Sequence, residues 1–154
     1  MVAQTQTLDR IEKQILLRAP RSRVWRALTQ AKEFGSWFGV LLEGPFVAHS
    51  KLHGRITIKG YEHVRLELDV QEMQPESYFA YRWHPYAVDP KVDYSGEPTT
   101  LVEFRLEEVA GGTQLHVTES GFEGIPLARR AEAWRMNDGG WAAQLENIAK
   151  YVAA

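Results

Sequence analysis

Hydrophobic and polar residues alternate with a period of two along most of the chain. Near the C-terminus that pattern gives way to a period of 3.6. From Pro126 to Ala154, Leu127, Trp134, Trp141, Leu145, Ile148 and Val152 fall on one helical face, with Arg129, Glu132, Arg135, Glu146 and Lys150 opposite. This predicts one long amphipathic helix, and Pro126 suits its first position because no backbone N–H bond is lost there. A helix with two tryptophans on its apolar side needs a broad partner surface. Gly139 and Gly140 lie in its middle, each costing about 1 kcal/mol relative to alanine. They predict either a kink or a close backbone approach that leaves space beside Trp141. Arg130 and Asn137 project onto the apolar stripe.

Upstream, residues 10–18 predict a first strand with Ile11, Ile15 and Leu17 on one face, ended by Ala19-Pro20. Ser22 is a candidate cap for a short helix that buries Val24, Trp25 and Leu28. Lys32 to Phe38 predicts a second short helix, with Phe34, Trp37 and Phe38 apolar and Gly39 as its C-cap. Strands follow near 40–48, 53–59, 63–73, 77–84, 99–109 and 113–120. In the third of these Val64, Leu66, Leu68 and Val70 alternate with Arg65, Glu67 and Asp69, the pattern of a half-buried antiparallel strand. Phe79, Tyr81 and Trp83 alternate on the next strand, and Val102, Phe104 and Leu106 on the one after. Gly111-Gly112 makes a tight hairpin. Beyond it, parity sends Leu115, Val117 and Glu119 inward and His116 outward. The order predicts an antiparallel meander with one solvated face and one face covered by the long helix. A strongly twisted sheet wrapped around a helix leaves a cavity between them. The stretch from Pro85 to Pro98 is too long for a hairpin loop and is expected over one mouth of that cavity.

Composition narrows the function classes. The length of 154 residues suits a single domain, 1–154, with an ordered core of about 9–153 and a polar, loose stretch over 1–8. The net charge of −2, with both signs interleaved, gives no electrostatic footprint for nucleic acid. Cysteine is absent, which excludes disulfides, thiolate catalysis and cysteine-held metals. The first residues lack the charged and apolar regions of a signal peptide, and no apolar run has membrane-spanning length. The expected setting is cytoplasmic, with no membrane insertion.

The polar residues offer little obvious chemistry. His49 and His53 straddle a strand boundary with no carboxylate to complete a set, so no metal is expected, and no cofactor is implied. No G-x-S-x-G motif is present, and Ser120 beside Gly121 reads as a turn serine. Glu119 is the exception: an inward carboxylate among Leu115, Val117 and Trp83, whose burial raises its pKa unless donors or a cation meet it. Arg130, one turn into the long helix, is the expected partner. The pair reads either as a structural staple or as the polar end of an apolar pocket.

Four segments carry a resemblance: APRSRVWRALTQAKEFGSWFG, SYFAYRW, GGTQLHVTESGF and the GW of DGGWAAQLENIAKYV. In this order they resemble the START-like (SRPBCC) superfamily, within it the bacterial branch related to the activator of heat-shock protein 90 ATPase. The resemblance implies an α+β helix-grip fold: a curved antiparallel sheet wrapped around a long C-terminal helix, with two short helices after the first strand. It also implies a binding cavity, since members bind lipids, sterols, hormones and polyketides, and some are cyclases or hydrolases. The chain departs from the branch at Glu119, where the family usually has histidine. The expected lining is Trp25, Trp37, Phe38, Leu66, Leu68, Tyr81, Trp83, Phe104, Val117, Glu119, Phe122, Arg130, Trp134, Asn137 and Trp141. The expected partner is a small apolar molecule, lipid-like or aromatic. The alternatives are a chaperone partner, or a cyclase or hydrolase that uses Glu119.

Overall fold

The computed structural model describes residues 9–153; the expectation for 1–8 lies outside the described residues. Strand β1 (Arg10–Leu17) is followed by helices α1 (Arg21–Thr29) and α2 (Ala31–Phe38). Strands β2 (Val40–Glu43), β3 (Lys51–Ile56), β4 (Arg65–Gln74), β5 (Tyr78–Trp83), β6 (Thr100–Val109) and β7 (Gly112–Ser120) come next. A 3-10 turn (Phe122–Gly124) then leads into α3 (Leu127–Ala153). The strands form one seven-stranded sheet in the order β1-β7-β6-β5-β4-β3-β2, every neighbour antiparallel. This is the α+β helix-grip arrangement: β2 to β7 meander, β1 closes on β7, and α3 lies in the curve.

Alternation explains the inward face. Leu68 and Val70 of β4, Phe79, Tyr81 and Trp83 of β5, Val102 and Phe104 of β6, and Leu115, Val117 and Glu119 of β7 are all buried. From α3, Ala133, Trp141, Leu145, Ile148 and Val152 are buried, a single stripe at helical spacing. The aromatics interlock: Trp83 stacks on Trp141 at 5.8 Å, Phe38 meets both edge-on, and Phe79 stacks on Phe104 at 6.0 Å. Two glycines are required by geometry. Gly39 ends α2 with φ 91°, and a Cβ at Gly112 would lie 2.0 Å from the Leu17 carbonyl oxygen.

Several local expectations change. The strand expected over 40–48 stops at Glu43, and Phe46 drops into the core from the loop that follows. Ser22 does not cap α1; Pro20 occupies the cap position with no side-chain bond, its fixed φ already suited to a helix entrance. Trp25 is half-buried, and Ala27 takes the buried position beside Leu28. Leu127 is 79 % exposed, at the first position of α3, and takes no part in the buried stripe. Helix α3 runs unbroken through Gly139 and Gly140, and a Cβ at either would meet nothing within 4 Å. The glycine pair faces solvent, so neither a break nor a close approach accounts for it.

Candidate functional site

Between the middle of α3 and the β3–β5 side of the sheet lies a cleft of about 240 Å³. Its walls come from four parts of the chain. Phe38 ends α2; Ile56, Ile58, Tyr61, Val64 and Leu66 come from β3, its turn and β4; Trp83, His84, Tyr86, Ala87 and Val88 come from β5 and the insertion; Met136, Asn137 and Gln144 come from α3. The insertion after β5 thus supplies Tyr86, Ala87 and Val88 to one side of the cleft.

Arg129 ties the insertion to α3. Its guanidinium donates to Glu97 Oε1 (3.0 and 3.1 Å), to the Pro85 carbonyl (3.1 Å) and to the Tyr86 carbonyl (3.2 Å), and lies 4.8 Å over the Tyr94 ring. His84 Nε2 donates to the Glu97 carbonyl at 3.1 Å, and His63 Nε2 to the Val88 carbonyl at 2.9 Å. Helical phase puts Arg129 on the exposed face; the insertion comes up to that face and covers it.

Behind the cleft lies Glu119, with no exposed surface. Its Oε2 accepts from Trp83 Nε1 (2.8 Å) and Thr100 Oγ1 (2.5 Å), and its Oε1 from Trp141 Nε1 (2.8 Å). Asn137 Nδ2 donates to both oxygens, at 3.0 and 3.1 Å. No ion pair forms with Glu119 among the described residues. Burial raises its pKa above the usual carboxylate value; the hydrogen bonds from Thr100, Trp83, Trp141 and Asn137 oppose this and leave a net rise. The carboxyl is thus a four-donor hub tying β5, β6, β7 and α3 together.

The expected Glu119–Arg130 pair does not form. Arg130 donates instead to the carbonyls of Ile125 (3.1 Å) and Glu123 (2.8 Å), fastening the turn that precedes α3. The physical reason is axial distance: Arg130 lies two turns before Asn137, about 10 Å along the helix. It shares the face of Asn137 and stops short of its level.

Of the residues expected to line a cavity, Phe38, Leu66, Trp83 and Asn137 border the cleft. Trp37, Leu68, Tyr81, Phe104, Val117, Phe122 and Trp141 are sealed in the core beside or beneath it, and Glu119 lies behind Asn137. Trp25 packs edge-on against Phe79 at 6.4 Å, and Trp134 donates to the Arg10 carbonyl at 2.9 Å. Sequence reasoning did not name Tyr61, His84, Tyr86, Val88, Met136 or Gln144 for the site. Most of them sit in loops or at helix edges, where periodicity carries no signal. Ile56 and Ile58 continue the alternation from Leu52 and could have been found that way. The Tyr81 hydroxyl is the one buried side-chain polar atom without a hydrogen-bond partner among the described residues.

No group of three or more His, Cys, Asp or Glu side chains is placed to hold a metal among the described residues. No described helix is long and apolar enough to cross a membrane.

The profile for Activator of Hsp90 ATPase homolog 1-like proteins matches residues 18–153. The chain belongs to this family. Solved structures share its fold. One is a Mesorhizobium loti protein, 20% identical with TM-score 0.73, covering 94% of this chain and 96% of its own. Another is the Aha1 dimer from Colwellia psychrerythraea, 17% identical with TM-score 0.70, covering 93% and 95% respectively. DynU16, from the dynemicin biosynthetic locus, is 21% identical with TM-score 0.72; the match covers 95% of this chain and 48% of DynU16. No curated protein matches the sequence.

Proposed function

We propose that this member of the family binds one small apolar molecule in the cleft between β3–β5, the insertion and α3, and works as a binding protein. The cleft itself carries the reading: about 240 Å³, walled mainly by aliphatic and aromatic side chains with a few polar groups, and bordered by a strapped loop. An apolar cavity of about 150 Å³ holds a benzene molecule. This cleft suits a mono- or bicyclic ligand better than a sterol. Glu119 speaks against an acid/base enzyme, because it is sealed and both oxygens are occupied by protein donors. The test is a calorimetric titration with small aromatic and alicyclic compounds, run on the wild type and on Ala87→Trp, which fills the cleft from the insertion. Saturable binding that Ala87→Trp abolishes is expected; no heat from any compound with the wild type overturns the reading.

The family match supports a second reading, contact with a chaperone of the Hsp90 type. Chaperone ATPase rates with and without saturating protein decide it, and an unchanged rate removes it.

A further inference from the structure

The hydrogen-bonding roles of the cleft's polar groups are set by what each already does within the protein. Asn137 is the central case. Its Nδ2 is turned to the Glu119 oxygens at 3.0 and 3.1 Å. Because Nδ2 donates to both carboxyl oxygens, the amide nitrogen faces Glu119 and the amide oxygen points the other way. The other end, Oδ1, accepts no hydrogen bond among the described residues and is not a sealed orphan. It is the atom Asn137 presents to the cleft. His84 repeats the logic: its Nε2 donates to the Glu97 carbonyl at 3.1 Å, so in the neutral ring Nδ1 is left as an acceptor. Gln144 is engaged at both ends, giving to the Phe38 carbonyl at 2.8 Å and accepting from Asn147 at 3.0 Å. The hydroxyls of Tyr61 and Tyr86 can play either role. Among the described residues no lysine or arginine lines the cleft, and the buried Glu119 carboxyl stands directly behind Asn137.

The geometry points to a specific ligand class: a neutral bicyclic-sized apolar molecule carrying a hydroxyl or N–H donor, with carboxylates excluded. This rests on the cleft being the binding site, and adds to it the polarity of the ligand. The donor of the ligand meets Asn137 Oδ1. A carboxylate in the same place would meet a carbonyl oxygen backed by a second carboxyl, with no cation to offset its lost hydration. Fatty acids and other apolar acids are therefore rejected despite the greasy walls, and an alcohol or phenol of the same skeleton is accepted.

The probes are 2-naphthol, 2-methoxynaphthalene and 2-naphthoate, titrated calorimetrically near neutral pH into the full-length protein. One skeleton then carries a donor, an acceptor only, or an anion. The donor is expected to bind about three- to tenfold tighter than the ether, the gain from one net hydrogen bond. The naphthoate is expected at least about a hundredfold weaker than the naphthol. Asn137→Leu should level naphthol with the ether while ether binding persists. Equal binding of naphthol and ether by the wild type, or naphthoate as tight as naphthol, overturns the ligand class and leaves the cleft as a binding site. Absence of binding by all three, together with failure of the wider compound set, overturns both. The wild-type series decides the question even where Asn137→Leu fails to fold.

Discussion

Glu119→Gln tests how this core tolerates a carboxyl group with no cation. Burial pushes its pKa up and the four donors pull it back, with a net rise above the ordinary value of 4.5. An acid raised on folding contributes stability that is fully present below its unfolded value. As the pH climbs, the unfolded chain ionises first, and stability falls by up to about 1.4 kcal/mol per pH unit until the folded carboxyl ionises too. Glutamine has no such titration, but it brings a mismatch. Trp83, Trp141 and Asn137 offer Glu119 only N–H groups. The amide oxygen can serve Trp141 and Asn137, and the amide nitrogen can give a hydrogen to Thr100 Oγ1. Trp83 Nε1 then faces an N–H, and an unpaired buried donor costs about 1–3 kcal/mol. The variant is therefore expected to be less stable than wild type by about 1–3 kcal/mol below pH 4.5. The gap should narrow as the pH rises above 4.5, where the wild type begins to lose its proton-linked stability. Urea unfolding followed by far-UV circular dichroism across this range measures both proteins, and titrations common to the two cancel in the difference. A gap that widens with pH refutes the reasoning, since it would place the carboxyl below its ordinary range, with donors outweighing burial. Arg130→Met in both backgrounds is the control. Among the described residues Arg130 hydrogen-bonds the Ile125 and Glu123 carbonyls and not Glu119, so its effect should add to that of Glu119→Gln within about 0.5 kcal/mol.

Gly139→Ala and Gly140→Ala should each stabilise the protein by about 1 kcal/mol in thermal or urea melts, because the helix is continuous there and the new methyl meets open space. Tyr81→Phe removes a buried hydroxyl with no partner and should leave stability unchanged or raise it by up to about 1 kcal/mol; a loss of that size would reveal an ordered water on the hydroxyl. Arg129→Ala cuts the anchors at Glu97, Pro85 and Tyr86. Amide exchange over 85–98 should then accelerate while β6 and β7 stay protected, and uniform acceleration would mean that the arginine supports the whole fold.

Periodicity reports which face a residue occupies, and for this chain that was enough to lay out the sheet. Inward parity put Glu119 in the core, and the structure leaves it no exposed surface. Helical phase puts both Arg130 and Asn137 on the apolar stripe, and both extend from the same side of α3. Only Asn137 reaches Glu119, because partnership also needs the right level along the axis. That level follows from how far α3 slides along the sheet, which the 3-10 turn at Phe122–Gly124 and the packing of Trp141 against Trp83 decide together. A helical pattern repeats every turn and is blind to such a slide.

The cleft was legible to the degree that its walls are regular. Phe38, Leu66 and Trp83 sit at the ends of recognisable elements; Tyr61, Tyr86 and Val88 sit in loops. Arg129 marks the boundary most clearly. Its helical phase faces solvent, so pattern alone makes it an ordinary surface charge. A covering loop changes its surroundings without changing its phase, and the guanidinium ends up only partly exposed, between a carboxylate, two carbonyls and a tyrosine ring. The same loop supplies one side of the cleft. Loop composition is free to vary where a sheet is not, so if the cleft binds as proposed, ligand preference should respond most to changes in the insertion and at the α3 positions facing it.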